Sequence, residues 1–276
     1  MPTALVTGAS RGIGRATALH LATLGWEVVA GARDVADLEG LVAEGPAGRI
    51  TPVALDVTDA AHLEALDGAL PARVDALVNN AGTAIGGPIE GLALDELRRQ
   101  LEVNVVGQVA VTQVLLPRLR ASRGRVVFVS SISGRVSVPM MGAYNASKYA
   151  LEAVADALRL ELRTWGIKVA LVEPGAIDTD MWRTVDETVD ATVADLSDEH
   201  RALYAKHITG LRRTTTRVQK QTSPVTKVTA AIEQALTAPR PKARYLVGAD
   251  ARVQAAIGAL PTALSDAAVG KVTGTP

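Results

Sequence analysis

Residues Thr3 to Gly14 read TALVTGASRGIG, and the fold turns on what stands on either side of Gly8. The run before it, TALVT, is short, apolar and β-branched, as a strand buried on both faces would be. From Arg15 to Leu24 the apolar residues return at helical spacing. Glycines 8, 12 and 14 let the backbone between strand and helix turn tightly. They also let a pyrophosphate approach the helix N-terminus, whose free N–H groups and dipole favour an anion. The spacing is GxxxGxG rather than the commoner GxGxxG. Three glycines after a strand also serve simply as a turn; their place between a strand and a helix favours the nucleotide reading.

Outward from this stretch the same alternation continues. WEVVAG precedes a helical segment from Val35 to Ala43, ITPVALDV one from Ala60 to Leu70, and ALVNNAG a long one from about Leu94 to Leu119. GRVVFVSS leads to a helix from Tyr144 to about Thr164, IKVALVEPG follows, and ARYLVG reads as the last strand. Strand–helix alternation gives right-handed βαβ units and a parallel sheet covered on both faces. The expectation is one doubly wound α/β domain over residues 1–276. Its one compositional break, 178–224, is acidic up to Glu199 and then basic in RRTTTRVQK. It reads as a helical insertion with a solvated charged face. Ser223 and Pro224 suit the cap and first turn of the helix that follows.

Composition closes off several function classes. Lys plus Arg equals Asp plus Glu at 29 each, so no net field draws nucleic acid or anionic lipid. There is no cysteine, which excludes disulfides, thiolate metal sites and a cysteine nucleophile. The four histidines, His20, His62, His200 and His207, show no metal-ligand spacing, so no metal is expected. No apolar run reaches the length of a membrane span and no leader pattern opens the chain, so a soluble, cytoplasmic protein is expected.

In GAYNASKYA, Tyr144 and Lys148 stand four apart and so share one face of a helix. Alone, the pair is as consistent with a packed ring and a snorkelling lysine as with proton chemistry. Its company settles the matter. The glycine loop, NNAG (Asn79 to Gly82) after a strand, Ser131, Tyr144 and Lys148 occur in this order, and from about Thr3 to Thr179 the chain strongly resembles the short-chain dehydrogenase/reductase family. The resemblance implies a Rossmann-type single domain and a homodimer or homotetramer. It implies Ser131, thirteen positions before the tyrosine, as the catalytic serine and Asn104 in LEVNVVG as the fourth catalytic residue. Asn104 would hold a water on a path from Lys148 to solvent; an asparagine bending a long helix is compatible with that.

The chemistry fits these residue types. Reducing a carbonyl requires a hydride to carbon and a proton to oxygen, so an acid must sit beside the oxygen. Tyr144 is that acid; Lys148 and an oxidised nicotinamide are expected to lower its pKa, ordinarily about 10. Ser131 would donate to the substrate oxygen.

By resemblance the dinucleotide meets Gly8, Ser10, Arg11, Gly12, Ile13 and Gly14, then Asp56 and Val57, then Asn80, Ala81 and Gly82, then Tyr144 and Lys148, and finally Pro174, Gly175, Ile177 and Thr179 of PGAIDT. At the end of the second strand Ala32 replaces the acidic residue that binds a ribose diol, and Arg33 follows with Arg11 nearby, which favours NADP(H). Asp34 keeps an NAD-linked dehydrogenase open as an alternative, and a non-catalytic NADP-binding regulator is a third reading. The insertion falls where the family places a mobile lid. Met140, Met141, Met181 and Trp182 would join Ser131 and Tyr144 in a substrate pocket. The tail APRPKARYLVGADA resembles the hydroxysteroid and retinol dehydrogenase subgroup, which implies a lipophilic carbonyl or alcohol substrate.

Overall fold

The structure is a computed structural model that describes residues 1–274. Its strands are β1 (Thr3–Thr7), β2 (Glu27–Ala32), β3 (Ile50–Ala54), β4 (Ala76–Asn79), β5 (Arg125–Val129), β6 (Lys168–Pro174) and β7 (Arg244–Val247). All run parallel in one sheet of order β3-β2-β1-β4-β5-β6-β7. The crossovers are helical: α1 (Gly12–Thr23), α2 (Glu39–Glu44), α3 (Ala60–Ala69), α4 (Leu94–Leu101), α5 (Gly107–Ser122) and α6 (Gly142–Glu161). After β6 come α7 (Asp180–Arg183), α8 (Val185–Ala194), α9 (Asp198–Leu203) and α10 (Ala205–Gln219), then α11 (Thr226–Thr237) before β7. Helices α12 (Ala249–Gly258) and α13 (Thr262–Thr273) follow β7.

The period of two along each strand divides the interior into two cores. Ala4, Val6, Val28, Ala30, Val78 and Val127 face α1 and α11, where Ala18, Leu21, Val228 and Ile232 meet them. Leu5, Val29, Leu77, Val126, Phe128 and Leu171 face the other way, onto Val111, Leu115 and Leu119 of α5 and Leu151 of α6. The first face is built mostly of small side chains, so α1 and α11 can lie close to the sheet. The second is filled by leucines and by Phe128, the chain's single phenylalanine.

Strand order reverses between β1 and β4, and the crevice outside the carboxyl ends of such neighbours is where open α/β sheets bind ligands. The two NAG-side and glycine-side loops leave the sheet at that point.

Two expectations need correction. The long helix is unbroken but not uniformly α: between α4 and α5 the turn Glu102–Val106 widens to π geometry around the buried Asn104. Ser223 does not cap α11, whose N-cap is Val225; its backbone instead pairs with Ala176 and Asp178. Helices α12 and α13 give little sign of themselves, because each buries just one residue, Ala251 and Thr273, and so lacks an apolar stripe. Among the described residues no helix is long and apolar enough to cross a membrane, and no cluster of His, Cys, Asp or Glu suits a metal ion.

Candidate active site

The glycine loop is held from below by the loop after β4. Thr7 Oγ1 accepts the backbone N–H groups of Asn80 and Ala81, each at 2.9 Å, while Asn80 Nδ2 donates to Thr7 O at 3.0 Å and Gly8 O at 3.2 Å. A methyl group on Gly14 would lie 2.2 Å from Gly8 O and 2.5 Å from Asn80 Nδ2, so no larger residue fits. Gly8 and Gly12 have φ of +64° and +55°, in the left-handed region. No side chain caps the first turn of α1, although Asp59 caps α3 by accepting from Ala61 N and His62 N. The first-turn N–H groups of α1 are thus left without a side-chain cap beside the glycine loop. Across from it stands Thr179, whose Cβ would lie 3.7 Å from a methyl on Gly12.

At the β2 end Ala32 is buried, while Arg33 and Arg11 are exposed and make no hydrogen bond or ion pair among the described residues. Burial pushes the Asp56 carboxyl up, but two hydrogen bonds from Thr58 and the Arg33 charge outweigh it and hold the group below its ordinary value. Asp34 is engaged locally, accepting from Ala36 N at 2.9 Å. Val57 is buried where Gly107 leaves room for it; a methyl there would lie 2.6 Å from Val57 Cγ2.

Ser131 ends β5 and starts a tight turn, its Oγ accepting from Ser133 N at 3.2 Å. Tyr144 lies in the first turn of α6. Burial raises its pKa and the neighbouring Ser131 hydroxyl opposes the rise. Lys148 is 5% exposed; its Nζ donates to Val129 O at 3.1 Å and lies 5.7 Å from the Tyr144 ring centroid. Burial lowers Lys148 to about 8 against the upward pull of Glu152. Against the expectation of a lowered phenol, loss of solvent dominates Tyr144, while the Lys148 ammonium donates to the Val129 carbonyl.

Asn104 is not in contact with Lys148. Its Nδ2 donates to Thr83 O at 2.9 Å and to Ser147 Oγ at 3.0 Å, and its Oδ1 accepts from Thr83 N at 2.8 Å. Two further amides extend the pattern: Gln100 bonds Ile85 N and Thr83 O, and Gln108 bonds Ala81 O. Residues 100, 104 and 108 thus grip 81, 83 and 85. Four helical residues rise about 6.0 Å and two extended residues about 6.6 Å, so the two repeats keep register over this length.

Pro174 is buried at the end of β6, and Gly175, Ile177 and Thr179 carry the chain toward the glycine loop. On the open side, Met140 and Met141 pack against Gly86 and Gly87: Gly87 N donates to Met140 O at 2.7 Å, and Thr192 of α8 borders the same glycines. Met181 is 54% exposed, while Trp182 is half-buried, its carbonyl held by Gln219. The structure thus brings Ser131, Tyr144 and Lys148 together and seats Met140 and Met141 beside Gly86 and Gly87. Gln100, Gln108, Ser147 and Asp250, the last of which accepts from Ala176 N, carry no signal in the sequence alone. Their partners come from distant parts of the chain.

Comparison with known proteins gives the family. The family profile described as short chain dehydrogenase matches residues 2–190, and the chain belongs to that family. Retinol dehydrogenase 5 of Mus musculus is 36% identical over 262 residues, 90% of this chain and 81% of that protein. An NADPH-dependent 3-dehydrocapnine reductase of Ornithobacterium rhinotracheale is 35% identical over 257 residues, 88% of this chain and 87% of its own length. A short-chain dehydrogenase from Streptomyces avermitilis superposes with a TM-score of 0.80 at 33% identity, covering 99% of this chain and 95% of that one. One from Burkholderia cenocepacia J2315, solved in complex with NADP, superposes with a TM-score of 0.75 at 26% identity, covering 100% and 98%.

Proposed function

We propose that the chain is an NADP(H)-dependent oxidoreductase that interconverts a carbonyl and a secondary alcohol on a lipophilic small molecule. The observation that carries this reading is the convergence of Ser131, Tyr144 and Lys148 at the carboxyl edge of the sheet, beside an uncapped glycine loop. The bound dinucleotide supplies or accepts the hydride. Tyr144 holds the proton given to the carbonyl oxygen, and its raised pKa suits a group that stays protonated until it donates. Ser131 donates a hydrogen bond to the same oxygen as charge develops there. Lys148 places a positive charge one turn along α6 that favours the phenolate once the proton has left. Asn104 fixes the segment around Thr83 and Ser147, next in sequence to Lys148, and keeps this part of α6 in place.

Arg11 and Arg33, neither of which makes a hydrogen bond or ion pair among the described residues, would hold the 2′-phosphate, while Asp34 accepts Ala36 N through one of its oxygens. Relatives named as an NADPH-dependent reductase and as a dehydrogenase of retinol, an apolar alcohol, support cofactor and substrate class. Helices α7 to α10 would serve as the lid, with Met140, Met141, Met181 and Trp182 lining the pocket beneath. Tyr149 and Leu160, exposed on α6, support pairing of two copies, which the molecular mass in solution would test. The deciding experiment is a panel of apolar aldehydes, ketones and alcohols followed by nicotinamide absorbance with NADPH and with NADH. Turnover with NADPH preferred is expected; no turnover of any compound with either cofactor would overturn the reading.

A further inference from the structure

The segment from Pro174 to Thr179 faces the glycine loop, and it is tied down entirely by residues that come later in the chain. Gly175 N donates to Val247 O at 2.9 Å, Ser223 N to Ala176 O at 2.9 Å, and Asp178 N to Ser223 O at 2.9 Å. These three bonds are backbone to backbone. The fourth is different: Ala176 N donates to the carboxylate of Asp250 at 2.8 Å, across 74 residues of sequence.

The seat of that carboxylate is closely fitted. A methyl on Gly175 would lie 2.0 Å from Asp250 Oδ2, and one on Gly248 would lie 2.3 Å from Oδ1, so the group is wedged between two bare Cα atoms. Asp250 stands in the first turn of α12, where the helix dipole favours a negative charge. Its bond to a neutral N–H is charge-assisted, the stronger kind. The structure therefore gives one peptide plane of this segment a side-chain anchor.

We propose that Asp250 is a positioning residue for the nicotinamide half of the dinucleotide. The inference rests on the reading of the cleft as an NADP(H) site. Arg33 lies at the end of β2, on one side of the switch between β1 and β4, and Ser131 lies at the end of β5 on the other. A dinucleotide with its pyrophosphate on the glycine loop then directs its adenosine half toward Arg33 and its reacting ring toward Ser131 and Tyr144. The 174–179 segment leaves β6, next to β5, and so borders the ring and not the adenosine. Removing the Asp250 carboxylate frees the Ala176 peptide and leaves the three backbone bonds in place. The slack is confined to the ring's side of the cleft.

The test compares two ligands on Asp250→Ala, by titrating NADPH and 2′,5′-ADP against the protein's tryptophan fluorescence and, in parallel, by thermal shift. NADPH is expected to bind roughly tenfold more weakly than to wild type, the loss of one charge-assisted bond, while 2′,5′-ADP shifts less than twofold. Asp250→Asn, which retains size and one carbonyl acceptor, is expected to weaken NADPH by about threefold with 2′,5′-ADP again unmoved, and it serves if the alanine variant does not fold. Equal weakening of both ligands, or of neither, overturns the role. A wild-type chain that binds neither NADPH nor NADH overturns the reading beneath it, and the inference with it.

Discussion

Tyr144 sits where two opposing influences meet, and the phenol's raised pKa says that burial prevails. Tyr144→Phe keeps the ring and removes the proton donor, so turnover of the best substrate should fall by at least about a hundredfold, the usual scale of general acid catalysis. NADPH binding should stay within twofold; a variant that keeps most of the wild-type rate would dismiss the mechanism. Lys148, brought down to about 8 by burial, loses its charge above that pH, so kcat/KM should decline as pH rises past about 8. Glu152 resists that loss, and Glu152→Gln should move the decline to lower pH; an unmoved limb in the rate–pH profile would show that Glu152 does not act on Lys148. On the proposed reading, the exposed Arg33 beside buried Ala32 carries the cofactor preference. Ala32→Asp with Arg33→Ala should lower the NADPH to NADH ratio of kcat/KM by at least roughly tenfold, because one lost charge-assisted contact is a decade or more. A wild type that already prefers NADH would remove the basis of that design.

At the level of elements, the grip of α4 and α5 on residues 81–85 ties the two halves of the cleft. Gln100→Leu takes the partner from Ile85 N, while Thr83 O keeps its bond from Asn104, and an unpaired, part-buried donor costs about 1–3 kcal/mol. The variant should therefore unfold at clearly lower urea concentration; an unchanged midpoint would mean that water replaces the amide without loss. Ser131, Tyr144 and Lys148 stood out only together with the glycine loop and NNAG, through the family resemblance, whereas the strands were legible in the sequence because each is a local β-branched run. Gln100 and Asp250 were not, since a glutamine in LRRQLE and an aspartate in GADAR look like ordinary solvated residues until the fold brings Ile85 and Ala176 to them. The same holds for the π turn, whose cause is the inward Asn104 rather than any helix-breaking residue. Ser223 misled because serine before proline is a good cap signal, and here the sheet-like pairing with Ala176 and Asp178 takes the backbone instead.

Across the whole molecule, β6, β7 and α6 are joined by a charge cluster with two buried carboxylates, Glu152 and Glu173. Glu173, fully buried, meets Arg135 at 2.6 Å and Arg244 at 3.1 Å; Arg244 also meets Glu152 at 3.1 Å and Asp156 at 2.6 Å, and Arg159 meets Asp156 at 3.0 Å. Burial, and then the Glu152 charge, raise Glu173 to about 7. A carboxyl whose folded pKa lies above its unfolded value contributes stability that is fully present below about 4.5 and lost as pH rises through about 7. Urea unfolding should thus show a less stable protein at pH 7.5 than at pH 5.5 by about 1–3 kcal/mol, each pKa unit being worth about 1.4 kcal/mol. Glu173→Gln should flatten that slope, and a slope that survives the substitution would assign it elsewhere. The anchoring of the 174–179 segment by Ser223, Val247 and Asp250 also sets an order of events on the ribosome. The glycine loop, Ser131 and Tyr144 emerge long before Asp250, which follows Thr179 by about seventy residues, several seconds of synthesis at roughly 5–20 residues per second. A nascent chain therefore carries Ser131 and Tyr144 before Asp250 has emerged to fasten the segment that borders them.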